Sequence, residues 1–595
     1  MTVDGSVAPA KVIDQLEVSS LCEAFQRSAG ADPDAVALRT AGGEVEITWR
    51  EYAARVESLA RGLAALGVGR GDTVALLMTN RPEFHIVDVA AMHLGATVFS
   101  IYNTLTADQI RHLYTNAGNR VVICEAQYVD VVRAAADGTG VEHVICIDGA
   151  PEGAASIEDI EATGDADLDF EASWRSVEPG DVLTLIYTSG TTGPPKGVEL
   201  THGNILACMR SARAMGVTPG ARLISYLPSA HAADRFYGHY LGLVYGSQIT
   251  SVADARTVAA ALAETHPTAW VAVPRIWEKL EVALRAKIAA ESDPAHKQAM
   301  DWALDVGMKK VRAEQISFRG EGPGPDDTLL AEYAKAKESV LTPLRAAMGL
   351  DQVSWCMSGA APIAPESLEF FLAIGVPICE FWGMSEMLGG TLNPPGRPRL
   401  GTIGPPMPGV ELKLAEDGEI LIRSDMVMKG YRGEPEKTAA TYDAHGWLLT
   451  GDIGAIDDDG YVRIIDRKKD LIINAGGKNM SPANIENAIK GSCRLIDQAV
   501  AIGDRRPYNI ALLTLAADAL GGRPVDDPDV VADVRAGIDR ANDRLARVEQ
   551  IKRFRILPGE WEPGGDELTL TAKLKRKPIA EKYADLIEEI YEEAR

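Results

Sequence analysis

Tyr187-Thr-Ser-Gly-Thr-Thr-Gly-Pro-Pro-Lys-Gly197 follows an apolar run, Val182–Ile186, of strand length and composition. Small hydroxyl residues and glycines let backbone N–H groups approach phosphate oxygens closely. Lys196 adds a point charge for the same oxygens. The order is not that of the GxxxxGK[ST] loop, because the lysine follows two prolines and precedes glycine. A Gly/Ser/Thr turn alone is most often a plain loop. Set at the end of a strand and closed by Lys-Gly, this one reads as a phosphate cradle. Its members are Thr188, Ser189, Gly190, Thr191, Thr192, Gly193 and Lys196.

Upstream, helical and strand patterns alternate. Thr48 and Glu51 have capping-box spacing before a helix. Tyr52, Val56, Leu59, Leu63 and Leu66 form one apolar face of that helix, and Gly67 ends it. Val74–Met78, Ala96–Tyr102, Arg120–Cys124 and His143–Ile147 read as strands, and Pro82 opens a helix that Gly95 closes. Such alternation predicts parallel α/β layers. Residues 278 to 350, rich in Ala, Lys, Glu and Met, read as helical with one break at Gly320–Pro325.

From Gly418 strand alternation returns, at Ile420 and Ile422 and again over Tyr461–Ile465. The charged run Asp466-Arg-Lys-Lys-Asp470 separates it from a strand (Leu471–Ile473), a Gly loop and a helix opened by Ser481-Pro482. A last helix carries Ile579, Tyr583, Leu586, Ile587 and Ile590 on one face. The expected organisation is a large α/β domain of layered subdomains, residues 1–465, and a small mobile α+β domain, residues 466–595.

The chain has 595 residues and a formal net charge of −25. That length exceeds one hydrophobic core, and that charge repels nucleic-acid phosphates. Seven scattered cysteines without a CxxC pair argue against a disulfide framework or zinc cluster and fit a reducing cytoplasm. The acidic first residues, lacking an apolar core, are not expected to form a signal peptide. No stretch of 18 uncharged apolar residues suggests a membrane span.

The phosphate loop resembles the signature of the adenylate-forming superfamily, and five further motifs agree in order from about residue 20 to the C-terminus. Ser358-Gly-Ala-Ala-Pro362 resembles the segment that lies against adenine, which implicates Ser358, Gly359 and Ala360. Phe381-Trp-Gly-Met-Ser-Glu386 resembles the aromatic-Gly-x-Ser/Thr-Glu motif. There Trp382 would stack on adenine beside Gly383, Met384 and Ser385, and Glu386 would help hold Mg²⁺ with Thr188. A tryptophan replaces the usual tyrosine but still offers a π face. Leu449-Thr-Gly-Asp452 supplies Asp452 for the ribose hydroxyls. In the charged run, Arg467 matches the second ribose contact, and Asp466 and Lys469 occupy the pivot. Gly476-Gly-Lys-Asn-Met480 resembles the loop lining the coenzyme A tunnel, which implicates Gly477 and Lys478.

Near the end, Leu568-Thr-Leu-Thr-Ala-Lys-Leu-Lys-Arg-Lys577 resembles the stretch carrying the family's catalytic lysine. Alignment on the basic pair selects Lys573, with Lys575 as competitor and Ala572 in place of the usual glycine. The resemblance therefore implies catalysis by Lys573, Lys196 and Glu386, with ATP, Mg²⁺ and coenzyme A. No protein nucleophile is needed, because AMP is itself a good leaving group.

Ser225-Tyr-Leu-Pro-Ser-Ala-His-Ala-Ala-Asp-Arg235 and Val273-Pro-Arg-Ile-Trp-Glu-Lys279 resemble stretches of long-chain fatty acyl-CoA synthetases. The first places His231 at the substrate, and a fatty acid becomes the expected carboxylate; a peripheral membrane contact is compatible with it. Two rival readings share the motifs: an acyl-AMP ligase feeding a carrier protein, and a non-catalytic nucleotide-binding scaffold.

Overall fold

A computed structural model describes residues 17–188, 194–474, 479–569 and 573–593. Its largest sheet has eight strands. Val182–Thr188, Thr97–Ser100, Thr73–Leu77, Val121–Cys124, His143–Cys146 and Ala155–Ser156 run parallel in that spatial order. Lys196–Thr201 and Gly430–Tyr431 extend one edge antiparallel. Every residue of Thr73–Leu77 is buried, as expected of a parallel strand covered on both faces. The helix Trp49–Ala65 begins at the capping box, where Thr48 N–H donates to Glu51 at 2.8 Å and Glu51 N–H returns a bond to the Thr48 hydroxyl.

Two four-stranded sheets complete the layered body. One contains Arg222–Ser225, Gln248–Ser251, Val36–Thr40 and Glu46–Thr48; the other contains Ala269–Ala272, Trp355–Ser358, Ile378–Met384 and Met387–Leu392. The helical insertion runs Pro274–Ala289, Pro294–Phe318, Asp327–Ala336 and Thr342–Ala346. It breaks at Gly320–Pro325 as expected and once more before Pro294, where Asp293 caps a new helix. An antiparallel sheet, Glu411–Leu414, Glu419–Arg423, Leu448–Ile456 and Val462–Arg467, follows.

The C-terminal part is built on Ile496–Ile502, Asn509–Leu515 and Ile551–Ile556. Alternate residues of the central strand enter opposite cores. Ala511 and Leu513 pack with Ile485 and Val534, whereas Ile510 and Leu512 pack with Ile579 and Ile587. The single last helix expected from the apolar face is two helices, Arg576–Lys582 and Ala584–Glu592. Tyr583 leaves helical geometry at ψ 21°, where its hydroxyl donates to Glu567 and accepts from the Trp561 indole. All seven cysteines are buried and free. Among the described residues no helix is long and apolar enough to cross a membrane.

Arg235, the last residue of the motif containing His231, faces the core rather than a ligand. Its guanidinium pairs with Asp88 and donates to Thr184 at 2.7 Å and Ser100 at 2.9 Å; His239 Nε2 shares Asp88 at 3.0 Å. Asp88 is 0% and Arg235 1% exposed, so removing one partner strands a buried charge. Arg235→Leu is expected to cost about 3–5 kcal/mol, measured as a lowered thermal midpoint, whereas the double change Asp88→Asn with Arg235→Leu recovers part of that loss.

Candidate active site

The strand Val182–Thr188 delivers Thr188 to the rim of the large sheet, and the return strand places Lys196 directly opposite it. Ser189, Gly190, Thr191, Thr192 and Gly193 lie outside the described residues, as do Gly477 and Lys478. The Lys196 ammonium sits 4.2 Å from the centre of the Tyr431 ring. The Tyr431 hydroxyl in turn donates to Glu386 Oε1 at 2.7 Å. Burial and the Glu386 carboxylate both push the Tyr431 phenol up, so it remains a donor. Glu386 occupies a tight turn with Ser385 between Ile378–Met384 and Met387–Leu392, pinned where Met428 N–H donates to its carbonyl. Tyr431 was not singled out by sequence. A tyrosine after Gly430 carries no spacing signal, and its role depends on Gly430–Tyr431 pairing with the Lys196 strand.

A second group forms on the antiparallel sheet. Asp452 and Arg467 are cross-strand partners, and their side chains meet at 2.6 Å. The Trp382 indole N–H donates to the other Asp452 oxygen at 2.9 Å. Trp382 therefore contributes an N–H as well as a ring face. The ring is admitted by Gly390, where an added Cβ would stand 2.6 Å from the indole. Burial raises the Asp452 pKa, while Arg467, Trp382 and Lys573 favour its charged form.

Lys573 comes from the far end of the chain. Its N–H donates to the Thr569 hydroxyl and its carbonyl accepts from Thr569 N–H, so flanking segments clasp the position. The residue is exposed to solvent, although the protein around its ammonium removes part of its hydration. That loss, reinforced by Arg467 and Lys469, lowers its pKa; Asp452 and Glu386 oppose the shift. Burial, then Lys573, pushes His231 down to about 4. At neutral pH His231 is uncharged. Its Nδ1 accepts from Ala233 N–H at 3.1 Å, which leaves Nε2–H as a donor. Lys575 is committed elsewhere, donating to the Gly565 carbonyl at 2.8 Å.

Ser358 ends the strand Trp355–Ser358, and Gly359 follows so close to Phe381 that a Cβ would stand 3.1 Å from its carbonyl oxygen. Ala360 adopts φ 71°, a left-handed conformation rare for alanine. Gly383 and Met384 continue the neighbouring strand, pairing with Met387–Leu392. Behind these segments lie two apolar cavities that share Tyr237 and Trp355. One is lined by Met215, Val217, Met357, Cys379, Leu392 and Met407, the other by Leu223, Tyr226, Trp270 and Val271. The structure thus joins Lys196 to Glu386 through Tyr431, and Trp382 to Asp452 and Arg467, with Lys573 within electrostatic reach of Asp452, Glu386 and His231.

The chain is similar to known proteins along most of its length. Residues 25–432 match the model of the AMP-binding enzymes, and residues 469–595 match that of the AMP-binding enzyme C-terminal domain. The chain is 52% identical over 454 residues to the fatty-acid–CoA ligase fadD11 of Mycobacterium tuberculosis, covering 74% of this chain and 79% of that protein. It is 34% identical to the long-chain-fatty-acid–CoA ligase FadD15 of Mycobacterium bovis over 98% of both chains. In fold it is similar to the adenylation domain of a carboxylate reductase from Mycobacterium chelonae, with a TM-score of 0.76 at 21% identity, covering 97% of this chain and 92% of that one. The chain belongs to the AMP-binding enzymes, within their branch of fatty-acid–CoA ligases.

Proposed function

We propose that this protein joins a long-chain fatty acid to coenzyme A at the expense of ATP, releasing AMP and diphosphate, through an enzyme-bound acyl adenylate. The observation that supports this reading is Lys573, which the terminal domain brings within electrostatic reach of Asp452, Arg467, Glu386 and His231. A fatty carboxylate and the α-phosphate of ATP are both anions and repel. Lys196 and Lys573 offset that repulsion from two different domains. Each such contact is worth about 2–4 kcal/mol as charge develops. Neutral His231 donates through Nε2–H, which suits a carboxylate or its acyl oxygen. Trp382, Asp452 and Arg467 hold the adenosine end, with Ser358, Gly359 and Ala360 along the base. The apolar lining of the cavity at Met357 and Cys379 matches the chemistry of an alkyl chain.

Glu386 and Thr188 are hard oxygen donors on the rim where Lys196 stands, a set that fits Mg²⁺ with phosphate oxygens completing its shell. When bound, that ion neutralises the charge on the departing diphosphate. The chain's own part is to orient it: Tyr431 holds one Glu386 oxygen and leaves the other for the ion. In the second half-reaction the coenzyme A thiolate attacks the acyl carbon, the bond to the phosphate oxygen breaks, and AMP leaves. Lys573 has no part in that step. We place the pivot at Asp466–Lys469 and assign Gly477 and Lys478 to the coenzyme A path.

Lys573→Ala is expected to slow acyl-adenylate formation by a hundredfold or more, about 3 kcal/mol. The same variant should convert synthetic acyl-AMP and coenzyme A to thioester at nearly the normal rate. Diphosphate exchange separates the two, and an equal loss in both half-reactions would refute the assignment. Lys575→Ala should impair adenylation little, since its amine serves Gly565. Tyr431→Phe removes one hydrogen bond worth about 1 kcal/mol but keeps the ring under Lys196. Its KM for MgATP should rise roughly fivefold with adenylation otherwise intact. Palmitate should exceed acetate in kcat/KM by orders of magnitude, since each buried methylene contributes about 0.8 kcal/mol; thioester formed with free coenzyme A distinguishes this enzyme from one serving a carrier protein.

A further inference from the structure

The stretch Val273–Lys279 has no place in the chemistry above. It opens the helix Pro274–Ala289, and Arg275 and Glu278 stand half-buried in its first turns. Neither touches the nucleotide group. Both face the terminal domain instead. Arg275 Nη2 lies 3.4 Å from Asp497 Oδ1, across 222 positions of sequence. Burial raises the Glu278 pKa, and Glu281 and Asp497 add to the rise, while Lys490 on the terminal domain and Arg275 favour its charged form.

Asp497 is placed there by the backbone. The pairing of Ile496–Ile502 with Asn509–Leu515 slips between Ile496 and Gln498, and the extra residue is Asp497. A bulge on an edge strand re-aims a side chain out of the regular alternation. The Asp497 side chain is only 12% exposed, and its Oδ2 is buried without a hydrogen-bond partner. A carboxylate in that setting needs the cation facing it. A second contact spans the same two parts of the chain. Arg544, in the last turn of Pro528–Arg544, meets Glu366, in the first turn of Pro365–Ala373, at 2.8 Å. Each charge there also complements its own helix dipole.

We propose that Arg275 and Asp497, supported by Arg544 with Glu366, form an electrostatic latch that holds the terminal domain where Lys573 reaches the adenylation site. Arg275 is then a positioning residue for Lys573. The latch rests on the two-step reading above: a domain that must turn between half-reactions needs contacts strong enough to select a pose and weak enough to release it. Partly exposed ion pairs meet both demands, since such pairs shift an equilibrium severalfold rather than fixing it.

The test is a charge swap read in both half-reactions. Arg275→Glu sets an acid beside Asp497 and Glu278; Asp497→Arg sets a cation beside Arg275 and Lys490. Each single variant is expected to lower fatty-acid-dependent diphosphate exchange roughly three- to tenfold. Thioester formation from synthetic acyl-AMP should stay at or above the wild-type rate. The double variant Arg275→Glu with Asp497→Arg should return exchange to within about twofold of wild type. Unchanged exchange in both single variants overturns the latch. So does an equal loss in both half-reactions, or a double variant no better than the singles, because a merely structural defect behaves that way.

The pose is also read without any substrate. The native cysteines are all buried, so spin labels at Glu416→Cys and Lys552→Cys, both exposed sites, report the distance between the domains. Arg275→Glu should deplete the component that matches this structure, and the swap should restore it; an unchanged distribution overturns the latch. A wild-type protein that exchanges diphosphate with no fatty acid would refute the proposed activity instead, and the label distances would still decide the latch.

Discussion

One buried carboxylate, Asp452, ties the active region together. It accepts from the Trp382 indole on one sheet and pairs with Arg467 on the strand that leads to the terminal domain. A carboxylate 3% exposed is costly unless its oxygens are occupied. Here one oxygen faces a neutral donor and the other a cation, so the hairpin Ile378–Leu392, the antiparallel sheet and the exit strand must keep a common register. The position of Lys573 depends on that register, because Asp452 is one of the two anions that offset its loss of hydration.

The remaining charges follow from the same economy. In a chain of net charge −25, several described cations near the cleft face an anion or a ring. Lys196 lies over Tyr431, Arg467 pairs with Asp452, and Lys468 pairs with Asp417 and Glu419. Lys573 differs in being held chiefly through its backbone, by Thr569. On the proposed reading its ammonium trades one set of anions for another when substrates arrive, and the segment carrying it belongs to the smaller domain, which would then withdraw.

Much of the layered fold is legible along the chain because the signals are local. The Thr48–Glu51 cap and the buried parallel strands need only short windows of sequence, and the motifs of the cleft are likewise contiguous. What sequence reading missed is pairwise and long-range. Tyr431 acquires meaning only when its strand lies beside Lys196. Trp382 reads as an adenine platform, and its bond to a residue seventy positions away has no local signature. The apolar face over Ile579–Ile590 is real, but periodicity alone cannot show that Tyr583 is drawn out of the helix by Glu567 and Trp561. Arg235 closes the motif that holds His231, and only burial beside Asp88 shows that it serves the core.

The charged run between the domains shows how a pivot and a fixed point coexist within four residues. Lys468 is anchored to the larger domain twice, by its N–H to the Gly451 carbonyl and by its ammonium to Asp417 and Glu419. Asp466 looks the other way. Its Oδ2 accepts from the Ser481 hydroxyl at 2.6 Å and from Ala483 N–H at 3.1 Å, at the start of the helix Pro482–Ser492 in the terminal domain. A rotation beginning at Lys469 leaves Asp466 with the larger domain and pulls that helix start away from it. The free N–H groups of a helix terminus must then find water or another acceptor. On the proposed two-step reading, the bonds of Asp466 are made only in the pose that brings Lys573 to the cleft. In the proposed rotation the ion pairs at Arg275 and Arg544 would have to part together with them.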